Sequence, residues 1–296
     1  MSSEETTTES AIPVGVLYMA GAAFCFSIMS LLVKLVGQRL PVFQIVMARS
    51  VLMLTFAYAH LRLIGQEPWG SNRKLLLARG AVGFVALCCY YYAVTELPLA
   101  DATVIHYLNP VITAVIAAVF LGEAIRPIEA GGILVSLAGV ALIQQPAFLF
   151  GGASRLEPFP VVVALGAATF SAAAYVIVRR LRVTEHPIVI VFYFSLFAAP
   201  ASVPLAAPSA LMPVGIEWLA LLGIGIVTYT AQVCLTNGLH RVQAGRATAI
   251  LYTQIVFAFG WDMVIFRQFP TALSLTGVAL IVGSALTIAW LRARRK

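Results

Sequence analysis

The chain is a succession of long apolar runs, separated by short segments that carry proline, glycine or charged residues. A helix needs about 20 mostly apolar residues to cross the hydrocarbon core of a bilayer, and the runs have about that length. They are continuously apolar and do not alternate with a period of two, which excludes a closed β-barrel. We therefore predict an all-α membrane protein with about ten transmembrane helices, at residues 14–36, 42–64, 75–95, 102–121, 128–144, 159–178, 188–206, 218–239, 247–266 and 272–291.

The composition agrees with a chain that is surrounded mostly by lipid. Hydrophobic residues make up 61% of it and charged residues only 10%, and the mean hydropathy is +0.95. A soluble domain has about 45–50% apolar and about 25% charged residues. The net charge of +7 would suggest a nucleic-acid partner in a soluble protein. Here the basic residues lie between the apolar runs, so we expect no nucleic-acid partner and interpret them as determinants of topology.

The basic residues in the short loops predict the orientation, because Lys and Arg accumulate on the cytoplasmic side of a membrane. With a cytoplasmic N-terminus, three of them lie outside (Arg39, Arg155 and Arg267) and thirteen lie inside. We therefore expect both termini in the cytoplasm and the protein in the plasma membrane, or in the inner membrane of a bacterium. The inner residues are Arg62, Arg73, Lys74, Arg126, Arg179, Arg180, Arg182, Arg241, Arg246, Arg292, Arg294, Arg295 and Lys296.

The chain also repeats itself at an offset of about 145 residues. Residues 101–109 align with residues 246–254 and share Ala, Thr, Ile and Tyr, with Asn109 opposite Gln254. At the same offset Ser50 meets Ser195 and Gly132 meets Gly277. Their agreement indicates an internal duplication.

Five helices in each half is an odd number, so the second half enters the membrane from the opposite side. We predict two inverted-topology repeats, at residues 14–145 and 159–291, joined by a loop at 146–158. Residues 1–13 would form a cytoplasmic N-terminal tail and residues 292–296 a basic cytoplasmic tail. Inverted repeats are typical of transporters, in which the binding site lies near the midplane between the halves and rocking gives alternating access.

Several short motifs resemble a known family. They are Arg49 early in the second helix, residues 97–103 running into Pro110, Leu121-Gly122-Glu123, and residues 132–142. Together they resemble the EamA-type members of the drug/metabolite transporter superfamily, and residues 97–110 are similar also to its eukaryotic solute-carrier relatives. The resemblance implies a ten-helix fold, cytoplasmic termini and secondary transport of small organic solutes.

The second half departs from the family pattern. Ile255 stands at the position that matches Pro110, and Phe266-Arg267-Gln268 replaces Leu-Gly-Glu. Proline removes a helical hydrogen bond, here to the carbonyl of His106, and tends to kink the helix. The sequence therefore predicts a kink in the fourth helix, whereas a role carried over from the family to the second Pro–Glu pair is not supported.

Strongly polar residues inside a bilayer need a partner or a cavity, since a charged side chain at a helix centre costs roughly 2.5–3.5 kcal/mol on insertion. Arg49 would either bind an anionic solute or pair with an acidic residue (Glu96, Asp101 or Asp262). Asp262 would either bind a coupling proton or cation, or serve as a structural partner of Arg49 or Arg267. The candidates within the predicted helices are Arg49, Arg79, His106, Asn109, Gln232, Asn237, Gln254 and Asp262.

The two halves supply matched polar segments for one binding site. The kink at Pro110 would expose backbone groups, and an approximate twofold axis would bring the matched segments together near the midplane. We predict that Arg49 and these segments bind the substrate; the alternative is hydrogen bonding between packed helices. The residues of the segments are His106, Tyr107, Asn109, Tyr252 and Gln254.

Two acidic residues lie near predicted helix ends. Glu123 lies at the cytoplasmic end of the fourth helix beside Arg126 and Glu129, and we predict a gating or bracing contact there rather than a substrate ligand. Asp101 directly precedes a predicted helix, so we expect its carboxylate to cap that helix.

These features favour a secondary transporter of small polar organic metabolites, either amino-acid-like or organic-anion solutes, rather than bulky apolar drugs. Small solutes, lipid and a coupling proton or cation are the expected partners. The alternative is an integral membrane acyl- or lipid-head-group transferase that uses His106 with Asp101 or Asp262 as acid–base residues. No recognisable catalytic spacing in the sequence supports that enzyme, and we expect no cofactor or metal site. A nucleotide-binding P-loop is also absent from the sequence.

Overall fold

The computed structural model describes residues 14–97, 99–151, 157–267 and 271–293. These residues form helices and connecting loops without a strand, so the fold is all-α as predicted. Nine helical segments among them are long and apolar enough to cross a bilayer, and a shorter apolar helix provides the tenth span. The helices are α1 Val14–Val36, α2 Val42–Leu63, α3 Arg73–Glu96, α4 Leu99–His106, α5 Asn109–Leu121, α6 Pro127–Gln144, α7 Ala147–Phe150, α8 Pro158–Leu181, α9 Pro187–Ala206, α10 Ile216–Arg241, α11 Ala244–Ile250, α12 Thr253–Phe266 and α13 Ala272–Ala293.

The ten spans place both ends of the described chain at the same end of the bundle. We call the end that holds Val14 and Ala293 the termini end, and the opposite end the distal end. The first half comprises α1 to α6 and the second half α8 to α13, each with five spans. The short helix α7 belongs to the segment that joins them.

Two spans are broken at matched positions. The fourth span divides between α4 and α5 at Tyr107–Leu108, next to Pro110, as the sequence predicts. The ninth span divides between α11 and α12 at Leu251–Tyr252, although it has no proline there. In that break the Thr253 hydroxyl donates to the carbonyl of Ile250 at 2.7 Å. Hydroxyls that bond to backbone carbonyls compete with the helical ladder, so they can bend a helix without proline.

Packing between the halves follows the same pseudo-twofold symmetry. Gly80 on α3 lies against α9, where an added Cβ would come within 2.9 Å of the Cβ of Phe197. Gly225 on α10 lies against α2 in the same way, with the Cβ of Leu52 at 2.6 Å. Gly80 and Gly225 are 145 residues apart, as are Leu52 and Phe197. The repeat in the sequence is therefore a repeat in the packing, with inverted topology.

The last spans of the two halves, α6 and α13, pack closely through small residues. A Cβ on Gly139 would come within 2.7 Å of the backbone oxygen of Gly277, so neither position can carry a larger side chain without a shift. Ser136 and Ser284 form a hydrogen bond across the same interface. Small residues let helix backbones approach in lipid, which explains the glycines at these two positions. Gly131 and Gly283, by contrast, face open space.

Candidate functional site

A cavity of about 200 Å³ lies between the two halves. The end of α4 and the break between α11 and α12 both reach its wall, as expected for a site built from interrupted helices. Pockets for drug-sized ligands have about 300–1,000 Å³, so this cavity suits a small metabolite. Its walls are Phe26, Met29, Arg49, Arg79, Gly83, Ala86, Leu87, Tyr90, Tyr91, His106, Ser171, Ala174, Tyr175, Phe194, Gln232, Leu251 and Gln254.

Two arginines dominate the electrostatics of the cavity. Arg49 on α2 is 6% exposed and Arg79 on α3 is 4% exposed, so both are buried. Neither forms an ion pair with any residue whose side chain the structure describes. The Nε atoms of both, and Nη1 of Arg79, have no hydrogen-bond partner within that part of the chain. The described wall contains no carboxylate, so among the described residues the positive charge of the cavity has no acidic counter-charge.

Non-acidic neighbours hold both guanidinium groups in place. Arg49 Nη1 contacts the sulfur of Met29 at 3.7 Å. The guanidinium carbon of Arg79 lies 4.6 Å from the ring centre of Phe194, a cation–π contact between the halves. These contacts position the charges without neutralising them.

Aromatic and amide groups complete the wall. The rings of Tyr90 and His106 lie 4.5 Å apart between centroids, and Tyr90 also contacts Tyr91 at 5.8 Å. Gln232 and Gln254 are half-buried and come from the second half, whereas both arginines come from the first. A polar solute in the cavity would therefore meet cations on one side and neutral amides on the other.

The predicted site residues fall into two groups. Arg49, His106 and Gln254 line the cavity together. Tyr107 and Tyr252 instead stack on each other with centroids 5.6 Å apart, and the Tyr252 hydroxyl donates to the carbonyl of Tyr107 at 2.7 Å. The Tyr107 carbonyl lies in the break between α4 and α5. It is next to the His106 carbonyl, which Pro110 is predicted to leave without its helical hydrogen bond. The pair joins the two breaks, and Tyr252 is fully buried.

Asn109 is also buried outside the cavity wall, with its side-chain oxygen unpaired among the described residues. Arg79 and Gln232 also line the cavity, although the sequence identifies them only as polar residues within helices. Nothing in their spacing distinguishes them from residues that pack between helices. Gln254, by contrast, matches Asn109 across the repeat. The side chain of Asp262 lies outside the described residues.

The structure corrects the role predicted for Asp101. This residue lies inside α4, which begins at Leu99, so it does not cap that helix. Its carboxylate is fully buried and accepts the backbone N–H of Ala147 at 2.7 Å. Ala147 is the first residue of α7, so Asp101 caps a different helix and ties α4 to the segment between the halves.

Glu123 joins the two halves at the termini end. Gly122 ends α5 in a left-handed conformation, with φ of 64°, and turns the chain so that Glu123 reaches the second half. The Glu123 carboxylate accepts hydrogen bonds from Arg179 Nε at 2.7 Å and from the backbone N–H of Ala244 at 2.9 Å. Ala244 is the first residue of α11, where a negative charge is favourable.

A second ion pair lies beside that contact. Glu129 on α6 pairs with Arg246 on α11, and Arg126 approaches it at 3.9 Å. A small cavity of about 20 Å³ lies between these groups, with Ala117 and Gly245 in its wall. The termini end is therefore closed by acidic groups of the first half bound to donors of the second half.

Comparison with known proteins decides the family. The sequence model of the EamA-like transporter family matches residues 13–145 and 158–290, once for each half. The chain belongs to the EamA-like transporter family. This assignment confirms the resemblance of the sequence motifs, and the chain is a multi-pass membrane transporter.

Relatives of this EamA-like transporter include proteins from bacteria and animals. The chain is 34% identical over 275 residues to the pseudopaline exporter CntI of Pseudomonas aeruginosa, covering 93% of this chain and 95% of that protein. It is 30% identical over 285 residues to human solute carrier family 35 member G1, covering 92% and 77% respectively. A crystal structure with 23% identity superposes with a TM-score of 0.83 over 96% of this chain and 99% of that one, which supports the fold.

Proposed function

We propose that this transporter is a secondary carrier of small organic anions by alternating access. The observation that carries the proposal is the pair of buried arginines, Arg49 and Arg79, in one cavity without a described carboxylate partner. An uncompensated charge in a low-dielectric site is costly, so the cavity favours ligands that bring negative charge. Guanidinium groups also match the geometry of carboxylates, to which they can donate two hydrogen bonds.

Organic anions therefore rank ahead of amino-acid-like zwitterions in this proposal. A zwitterion brings an ammonium group that needs an acceptor, and the described wall offers neutral amides and phenols rather than a carboxylate. A relative that is named as an exporter, the pseudopaline exporter, supports the proposal of solute transport. The carrier function is proposed in place of the transferase, for which the site offers no described acid–base cluster.

Alternating access in this proposal uses the contacts at the termini end as a gate. Rocking one half against the other must separate Glu123 from Arg179 and Ala244, and Glu129 from Arg246. We further propose that the termini end is cytoplasmic, because the thirteen-to-three bias of basic residues favours that orientation. A fluorescent-protein fusion at Lys296 should then be fluorescent in a bacterial host.

Uptake into liposomes tests the carrier proposal. The purified chain is reconstituted, and uptake of a carboxylate, an amino acid and a neutral polyol of similar size is compared. Hydrogen bonds to charged groups contribute about 1.5–3 kcal/mol, so Arg49→Gln or Arg79→Gln should weaken carboxylate transport by roughly 10- to 150-fold. The matched control is Arg180→Gln, at an exposed arginine of α8. Uptake of the neutral polyol that is equally fast and insensitive to both cavity substitutions would refute the proposal.

A further inference from the structure

We infer, building on the proposed anion transport, that the cavity holds two separate anion subsites, one at Arg49 and one at Arg79. The corresponding substrate class is an organic solute with an acidic group at each end. Both side chains are more than nine-tenths buried, and both present unpaired nitrogen atoms within the described part of the chain. Because both arginines line the same cavity, one ligand can contact both.

The two arginines lie at different depths along the bundle. Arg79 is six residues from the start of α3 at the termini end, and Arg49 is 14 residues from the end of α2 at the same end. At 1.5 Å per residue these depths are about 9 and about 21 Å, so the two Cα atoms differ in depth by roughly 12 Å. From this backbone separation we expect a compact dianion such as sulfate to bind one guanidinium and to leave the other without a counter-charge. A solute with separated acidic groups can neutralise both.

The wall between the two subsites suits a carbon skeleton. On α3 the cavity-lining residues beyond Arg79 recur at helical spacing and so share one face. They carry small, aliphatic or aromatic side chains and no charge, and they are Gly83, Ala86, Leu87, Tyr90 and Tyr91. Gly83 and Ala86 lie between the depths of the two arginines, whereas Leu87 is level with Arg49 and the tyrosines lie beyond it. The uncharged face of α3 at Gly83 and Ala86 thus lies between the two cations along the cavity.

Gly83 is a positioning residue for the subsite at Arg79. A Cβ at this position would overlap Nη1 of Arg79 and come within 3.1 Å of the Phe194 ring. Glycine therefore leaves the space that the guanidinium needs to lie against that ring and face the cavity. Gly83→Ala should displace the Arg79 charge while α3 itself keeps its helical backbone.

Binding of matched acids to the purified full-length chain tests the inference. The probes are linear dicarboxylates from malonate to suberate, the monocarboxylate of each chain length, and inorganic sulfate, titrated by calorimetry in detergent. At the best length the dicarboxylate should bind at least about tenfold more tightly than its monocarboxylate. Arg49→Gln and Arg79→Gln should each reduce dicarboxylate affinity to the monocarboxylate level. Gly83→Ala should do the same with an unchanged melting temperature, whereas Gly131→Ala, at a helical glycine with open space around it, should have no effect.

The outcomes separate this inference from the proposed function. Equal affinities for mono- and dicarboxylates, or sulfate binding as tight as the best dicarboxylate, would overturn the two subsites. If carboxylate binding still required one arginine, the carrier of organic anions would stand. If no carboxylate bound and neutral solutes were transported independently of both arginines, the proposed function itself would fail.

Discussion

The hydrogen bonds of Glu123 allow the free energy that holds the proposed gate closed to be estimated and tested. Its carboxylate accepts two hydrogen bonds from the second half, one from a buried guanidinium and one from the first N–H of α11. Glu123→Gln keeps the length and shape of the side chain but removes its charge. The amide oxygen can still accept from Arg179 or from Ala244, while its NH₂ group then faces the other donor.

The expected cost follows from the two bonds. Hydrogen bonds to charged groups contribute about 1.5–3 kcal/mol and neutral ones about 0.5–1.5 kcal/mol. The side chains of Glu123 and Arg179 are 14% and 8% exposed, so water screens the contact little. Weakening both bonds should therefore destabilise the closed termini end by about 2 kcal/mol. Because 1.4 kcal/mol is tenfold, the population open at that end should rise roughly 30-fold.

Thiol accessibility measures that population. Ala117 lines the small cavity at the termini end and is 1% exposed, so a cysteine there reacts only when that end opens. In a background without the four native cysteines, Ala117→Cys is labelled with an impermeant maleimide from the termini side. Glu123→Gln should accelerate labelling roughly 30-fold, and the exposed Glu67→Gln should leave it unchanged. A labelling rate within about twofold of the parent, together with a lower melting temperature, would show that Glu123 is a brace and refute the gate.

Four substitutions test the packing and the backbone conformation of the repeats by thermal melting in detergent. Tyr252→Phe removes the hydroxyl bonded to the Tyr107 carbonyl and should lower stability by about 1 kcal/mol. Arg267 has a left-handed φ of 54°, so Arg267→Gly should raise stability by about 1 kcal/mol, whereas Gly122→Ala should lower it by a similar amount. Gly139→Ala would press a Cβ against the backbone of α13 and should cost about 1–3 kcal/mol. An unchanged melting temperature for a given variant would contradict the contact or the backbone conformation that the variant tests.

The spans were predictable from sequence because their length and hydropathy are dictated by the bilayer. The second break was not, since Pro110 marks only the first half. In the second half the signal is Thr253, whose hydroxyl bonds to the Ile250 carbonyl. A threonine in a helix more often bonds to its own backbone without breaking the helix, as Thr230 does in α10. Its effect here depends on tertiary context that a single sequence does not contain.

Symmetry explains which site residues the sequence could identify. Residues near a twofold axis contact their own counterparts in the other repeat, as in a self-complementary dimer interface. Tyr107 and Tyr252 are such counterparts, and a hydrogen bond joins them. Their match in the sequence therefore reflects packing at the axis. Residues that line the cavity away from the axis need not match. Arg79, for example, corresponds at an offset of 145 residues to Ile224, a fully buried core residue.

The second half does not repeat the two arginines of the cavity at the matching positions. Arg49 corresponds at the same offset to Phe194, and that ring contacts Arg79 rather than adding a second charge. Four arginines around one small cavity would repel each other strongly at low dielectric, which disfavours a second pair of arginines in the second half. A solute that brings negative charge to the arginines and hydrogen-bonding groups to Gln232 and Gln254 would hold both halves together. Under the proposed function, the substrate therefore stabilises the occluded state, because it binds the arginines of the first half and the amides of the second half at the same time.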